Sequence, residues 1–252
     1  MRNLVVAIGR EFGSGGKEIG QKLADRLNIK CYDSELLSIA AKNSGFCEEI
    51  LQKNDEKPTN SFLYSLVMDT YSMSGYTSAP FVDMPLNHKV FLAQFEAIKK
   101  LASEEPCVIV GRCADYALAG DPDCVSVFIH ADMDFRLKRI KADSDKEFKD
   151  DNKVIDFINK TDKKRANYYN YYSSKKWGDA RSYDFCLDSS VLGIDKTVDM
   201  IIEYLKIRYP EDKTLSKYRI KKCLQTSFLG CLKAFFICAD FSILWEKHRR
   251  YF

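Results

Sequence analysis

Two rhythms of apolar and polar positions run along this chain. Leu4 to Ile8 is an unbroken apolar run with the length of a buried strand. After it, Ile19, Leu23 and Leu27 recur every four residues and form the stripe of a helix. Ile29 to Tyr32 reads as a short strand, and Leu36, Leu37, Ala40 and Ala41 as the inner side of a second helix. Asn43 to Asn60 is polar and reads as a loop or mobile segment; Phe62 to Met68 could start a helix. Tyr71 to Pro85, rich in Ser, Gly, Thr and Pro, reads as an excursion from the core. Asn87 is expected to cap a long helix carrying Phe91, Phe95, Ile98 and Leu101.

Cys107–Val110 and Val125–Ile129 are further strands, and Asp132 is a suitable N-cap for the helix that carries Arg136 and Arg139. Asp143 to Lys153 is charged and expected to be mobile. A long helix follows through Ile155 and Ile158 to about Tyr172, with Tyr168, Tyr169, Tyr171 and Tyr172 divided between core and surface. A late strand at Tyr183–Leu187 precedes a helix over Ile194–Leu205, with Val198, Ile201, Ile202 and Leu205 inward. Five short strands alternating with helices predict an α/β fold with a parallel sheet covered on both faces.

Ligands of such sheets bind beyond the carboxyl ends of the strands. Gly13 to Lys17, Asp33, Arg112 and His130 all directly follow strands; a lone histidine carries no assignment. Gly13, Ser14, Gly15, Gly16 and Lys17 sit between the first strand and helix, the layout of a phosphate cradle. Glycines permit positive φ and close backbone approach, so that successive N–H groups can face an anion. The helix N-terminus and Lys17 add positive charge. The loop matches only the second half of G-x-x-x-x-G-K-[ST], with Glu11 in place of the first glycine and Glu18 in place of the hydroxyl residue. A tight turn with an exposed lysine is the alternative.

The chain has 252 residues, 46% hydrophobic and 30% charged, which suits an ordinary soluble protein of one α/β domain, or of one domain plus an appendage. Nine cysteines without a C-x-x-C pair point to a reduced, cytoplasmic protein, and no signal peptide is visible. The net charge of +3 is unevenly spread. Residues 213–252 hold nine Lys/Arg against Asp240 and Glu246, a charge of +7, which leaves −4 for residues 1–212. A mildly acidic main domain argues against a nucleic-acid surface. The basic, aromatic-rich extension over 211–252 is read as a helical tail packed on its own domain. Contact with a membrane surface or with a partner is the less favoured reading.

The segments AIGREFGSGGKEIG, CYDSELL, FLAQFEAIKKLA, PCVIVGRCADYAL and KKRANYYNYYSSKKWGDARSYDFCLDSS resemble, in order, the cytidylate-kinase-like proteins of the nucleoside monophosphate kinase superfamily. The resemblance covers about residues 3–208. It implies a three-layer P-loop kinase domain over 1–210, with a mobile acceptor-binding insertion at about 43–88 and a lid at about 141–165. It also implies transfer of the γ-phosphoryl of ATP to a nucleoside monophosphate with Mg²⁺, CMP or dCMP being the leading acceptor. By the same resemblance Gly13, Ser14, Gly15, Gly16, Lys17 and Glu18 hold the triphosphate, and Lys17, Arg136, Arg139 and Arg165 are catalytic. Asp33, Gln94, Arg112 and Asp162 then face the acceptor or the lid. The sequence departs from the family pattern at Val110, where those kinases carry an aspartate, and at Glu18. Both usual protein supports for Mg²⁺ are thereby missing, and no metal-ligand set is assigned. Glu11, Glu18 or Asp115 remain candidates for an outer-shell carboxylate. A regulatory nucleotide-binding module and a kinase for a non-nucleotide acceptor stay open as alternatives.

Overall fold

The computed structural model describes residues 3–44, 48–56, 85–143, 150–212 and 214–215. The expected helix start at Phe62–Met68, the excursion up to residue 84, residues 144–149 of the lid and residues 216–252 of the extension lie outside the described residues.

The chain runs β1 (Val5–Arg10), α1 (Gly16–Leu27), β2 (Lys30–Tyr32), α2 (Glu35–Ser44), α3 (Glu48–Asn54), α4 (Leu86–Glu104), β3 (Cys107–Val110), α5 (Ala114–Ala117), β4 (Cys124–His130), α6 (Met133–Asp143) and α7 (Asp151–Ser173). A 3-10 turn (Ala180–Ser182), β5 (Phe185–Asp188) and α8 (Ser189–Arg208) complete it. The five strands form one parallel sheet in the order β2-β3-β1-β4-β5. β1 is central: Ile8 lies opposite Val110 on one side and Val127 on the other.

Successive side chains of a strand point to opposite faces, and β1 divides accordingly. Val5 and Ala7 pack with Leu36, Ala40, Ile98 and Leu101 of α2 and α4. Val6 and Ile8 pack with Ile19 and Leu23 of α1 and with Val198, Ile201 and Leu205 of α8. Helices therefore cover both faces, giving three layers. Burying residues such as Ile19 and Leu23 stabilises the fold by about 1.5–3 kcal/mol each, which makes α1 a firm support for the loop before it. A third cluster joins α7 to the sheet through aromatic rings, with Phe91 stacked on Tyr172 at 3.9 Å. Tyr168, Tyr169 and Tyr172 are buried there, while Tyr171 is half-exposed.

Three local expectations are corrected. Part of the expected loop at 43–60 is helical, since α3 spans Glu48–Asn54. Its seven residues are too few to show a periodic stripe, although Lys53 in its last turn suits the helix dipole. Pro85, not Asn87, precedes the first residue of α4. The charged stretch expected to be mobile up to Lys153 is already helix from Asp151, where the Asp150 carboxylate accepts from the Asn152 amide at 2.9 Å. The helix expected from Ile194 holds: α8 begins at Ser189 but breaks at Gly193 (φ 72°, ψ 165°), so its regular part starts at Ile194. Asp132 does cap α6, accepting from the Phe135 amide at 2.7 Å.

Candidate active site

The glycine loop leaves β1 at its carboxyl end. Gly13 and Gly15 adopt φ of 82° and 81°, a left-handed conformation that costs other L-residues about 1–2 kcal/mol. Gly15 is the N-cap of α1 and uses no side-chain cap. The amides of Gly16, Lys17 and Glu18 thus open the helix without intrahelical acceptors, aimed where an anion would sit. The loop is pinned from below. Asp162 accepts from the Phe12 amide at 2.7 Å, the Ser189 hydroxyl donates to the Ser14 carbonyl at 2.6 Å, and the Glu11 carboxylate accepts from the Ala131 amide at 3.1 Å.

A cleft of about 930 Å³ lies over the loop, lined by Gly13, Gly15, Gly16, Lys17 and Glu18 together with Asp33, Arg139 and Arg165. Phe12, Ile140 and Phe157 give it an apolar wall, with the two phenyl rings edge to face at 5.3 Å. Lys17 is largely exposed, and its ammonium meets Asp33 Oδ2 at 3.0 Å. Asp33 is thereby an ion-pair bridge: its other oxygen takes Arg112 Nη1 at 3.0 Å. Burial would raise the Asp33 pKa, but Arg112 and Lys17 outweigh it and hold the carboxyl below its usual range.

Beside the loop, Arg10, Arg112 and Arg165 form a nest of guanidinium groups from three separate elements. Arg112 is buried and follows β3 on a turn in which Gly111, Arg112 and Cys113 all have positive φ, at 81°, 52° and 55°. Two non-glycine residues in that region mark stored strain, a feature concentrated at functional sites. The turn directs the Arg112 side chain back over the sheet edge, where Nη1 also donates to the Val110 carbonyl. Gly111 is required by its neighbour as well, since a Cβ there would lie 2.7 Å from Arg10 Cζ. Arg165 reaches in from α7; burial and the adjacent Arg10 lower its pKa to about 10.

The nest is matched by Asp55 and Glu56, just past α3. Asp55 takes a two-pronged contact from Arg112 (3.2 and 3.0 Å) and accepts from the Gln94 amide at 3.1 Å. Glu56 takes Arg10 at 2.9 Å and Arg165 at 3.3 Å. Burial alone would raise the Glu56 pKa; Arg10, Arg165 and Arg112 instead hold it well below the usual carboxylate range. Gln94 is fully buried and also accepts from the Tyr168 hydroxyl at 3.1 Å.

The expected residues thus fall into three groups. Gly13, Gly15, Gly16, Lys17, Glu18, Asp33, Arg139 and Arg165 line one cleft, whereas Ser14 is buried, is not among the lining groups and donates its hydroxyl to the Glu11 carbonyl at 2.9 Å. Arg112 and Gln94 join the adjoining nest. Arg136 and Asp162 are brought together, but with each other and beneath Phe12: Arg136 pairs with Asp162 and Glu11 and donates to the Phe12 carbonyl. Arg136 is buried there and is not among the groups lining the cleft. Arg10 and the Asp55–Glu56 pair were not singled out as site residues from the sequence. Arg10 carries the signal that found Arg112, a cation at the end of a buried strand, whereas Asp55 and Glu56 carry none.

The described candidate carboxylates do not fit a protein-held Mg²⁺. Glu18 is paired with Arg139 at 2.8 Å and Lys22 at 3.2 Å. Burial raises the Glu18 pKa, but those two cations dominate and keep it lowered. Glu11 is paired with Arg136, and Asp115 accepts from the buried Tyr169 hydroxyl while burial raises its pKa. Val110 packs in the apolar layer under α1. Among the described residues no group of three or more His, Cys, Asp or Glu could hold a metal ion. A magnesium ion entering with a nucleotide would rest on phosphates and water.

A central strand, a glycine loop at its carboxyl end and a helix starting under that loop define an α/β phosphate-binding fold of the P-loop kinase type. The chain belongs to the cytidylate kinase-like family, whose family model matches residues 5–191. A crystal structure of an uncharacterized protein from Eubacterium ventriosum is 32% identical, covering 81% of this chain and 99% of that one with a TM-score of 0.59. Shikimate kinase from Bacteroides thetaiotaomicron is 15% identical, covering 81% and 98% with a TM-score of 0.45, and that from Aquifex aeolicus is 14% identical, covering 82% and 99% with 0.39. None of the curated proteins compared with the chain matches it. No described helix is long and apolar enough to cross a membrane.

Proposed function

We propose that this kinase-like protein transfers the γ-phosphoryl of ATP to a small phosphorylated acceptor, a nucleoside monophosphate with CMP or dCMP as the leading case. The observation that carries this reading is the shared cleft, in which loop amides, Lys17, Arg139 and Arg165 face one space. Phosphoryl transfer leaves a protein little covalent work; it needs in-line positioning and cations against the equatorial oxygens. The loop amides and Lys17 grip the triphosphate, and the apolar wall of Phe12 and Phe157 suits the flat face of a base. Arg165, between the cleft and the nest, is placed to meet charge developing between donor and acceptor. Arg112 binds the acceptor anion with its planar fork. The acceptor oxygen is already ionised at neutral pH, so no general base is required.

Arg136 and Asp162 act as positioning residues in this reading, because both fix Phe12 and hence the loop. Arg139 reaches the phosphates by exchanging its Glu18 partner for them. That pairing also favours a second reading, a nucleotide-binding module with weak transfer, since it neutralises a cation of the cleft and Glu18 stands where the loop pattern has a hydroxyl residue. A coupled ADP-release assay over a panel of nucleoside monophosphates separates the two. Turnover with one of them is expected; ATP binding without turnover on any would favour the module.

A further inference from the structure

Asp55 and Glu56 are consecutive, and together they satisfy donors from four elements. Arg112 and Gln94 converge on the Asp55 carboxylate, Arg10 and Arg165 on that of Glu56, and Lys164 Nζ reaches the Asp55 carbonyl at 3.0 Å. Glu56 itself has φ 50°, a left-handed conformation that a glutamate adopts only when its surroundings hold it. The small pocket that Arg10, Glu56, Arg112 and Arg165 line together with Tyr168 and Tyr169 is about 20 Å³, room for about one water molecule. While the two carboxylates stay in place they occupy donors of all three guanidinium groups, of which Arg10 and Arg165 also border the open cleft and Arg112 does not. Yet the carboxylates present two negative charges and four oxygens to the nest, the charge and donor demand of a doubly ionised oxyanion.

We propose that Asp55 and Glu56 form a built-in plug, an internal anion that a doubly charged oxyanion on the acceptor displaces from Arg10, Arg112 and Arg165. This rests on the reading of the nest as the acceptor subsite. The physical reason for a plug is that buried guanidinium groups left unpaired are strongly destabilising, so an empty subsite needs a resident counter-ion. The consequence is selectivity: a singly charged or neutral acceptor cannot replace two carboxylates, whereas a phosphate monoester can. Arg10 becomes an acceptor-binding residue, and binding releases the end of α3.

Hydrogen exchange of the full chain with and without inorganic phosphate at pH 8 tests the plug. Exchange over residues 48–56 is expected to speed up several-fold with phosphate and to stay unchanged with formate. Unchanged or slower exchange with phosphate, or acceleration by formate, overturns the proposal. By calorimetric titration Glu56→Gln should bind phosphate about tenfold more tightly, because a competitor for the nest is weakened; equal or weaker binding counts against it. If Glu56→Gln does not fold, the exchange measurement on the unaltered chain still decides. The two readings fail separately. Release of 48–56 by phosphate with no transfer to any monophosphate would sink the kinase reading alone; transfer with 48–56 still protected would sink the plug alone.

Discussion

The glycine loop and the arginine nest adjoin at the carboxyl edge of the sheet, and both are suited to anions, but by opposite means. The loop works through backbone. Its N–H groups are partial charges held by helix geometry, and they can face water without a partner. The cleft above it is accordingly open, and Lys17 is largely exposed. The nest works through full charges largely taken out of water, and guanidinium groups as buried as those of Arg10 and Arg112 cannot be left bare. It is filled by this chain's own carboxylates. A site built from dipoles can wait empty, whereas one built from buried ions needs a stand-in. Asp33 joins the two, touching Lys17 on one side and Arg112 on the other.

This contrast can be broken most severely at Arg112. Arg112→Ala strips Asp33 and Asp55 of their main partner and should cost about 3–5 kcal/mol in a denaturant melt. Acceptor KM should rise in whatever protein remains folded, with ATP KM little changed; a raised ATP KM alone would reverse the two subsites. Lys17→Ala should hardly alter stability, since its contact is exposed. It should lower kcat on the order of 10²-fold or more, equivalent to about 2.7 kcal/mol of barrier. Full activity of that variant would remove the loop from the mechanism.

Gly15→Ala probes the backbone side of the comparison. It places a side chain at φ 81° and against Ile194, for about 1–2 kcal/mol from the backbone alone, and should weaken ATP binding while sparing phosphate binding at the nest. The smallest effect concerns acid. The folded pKa of Glu56 lies below its ordinary value of 4.5, so its contribution is complete above pH 4.5 and fades as pH falls below that value. Glu56→Gln should flatten this acid limb in thermal melts from pH 5 to 3; an unaltered limb would show that Glu56 is not the group being titrated.

Much of the frame was legible because the sheet is buried on both faces. Strands in that setting read as continuous apolar runs, and Leu4–Ile8 and Cys107–Val110 did so, the first displaced slightly from the observed Val5–Arg10. Post-strand position then pointed to the loop, Asp33 and Arg112, because a parallel sheet gathers its carboxyl ends on one edge. Nothing local says what Asp33 binds. Its carboxylate is bound to Arg112 and Lys17, contacts that span 79 and 16 positions and that no local pattern encodes. α6 illustrates the same limit, since Arg136 and Arg139 share one helix while the first is buried with Asp162 and the second lines the cleft.

By itself, then, the order of residues settled the periodicities, the alternation of strand and helix, and the glycines at which the backbone turns through positive φ. These are short-range matters, fixed by side-chain shape and by burial of one face. Which cation meets which carboxylate was decided only when distant elements were packed together. Charge is exchangeable among a chain's many Lys, Arg, Asp and Glu residues, and the pairing that wins is the one that leaves no buried guanidinium alone.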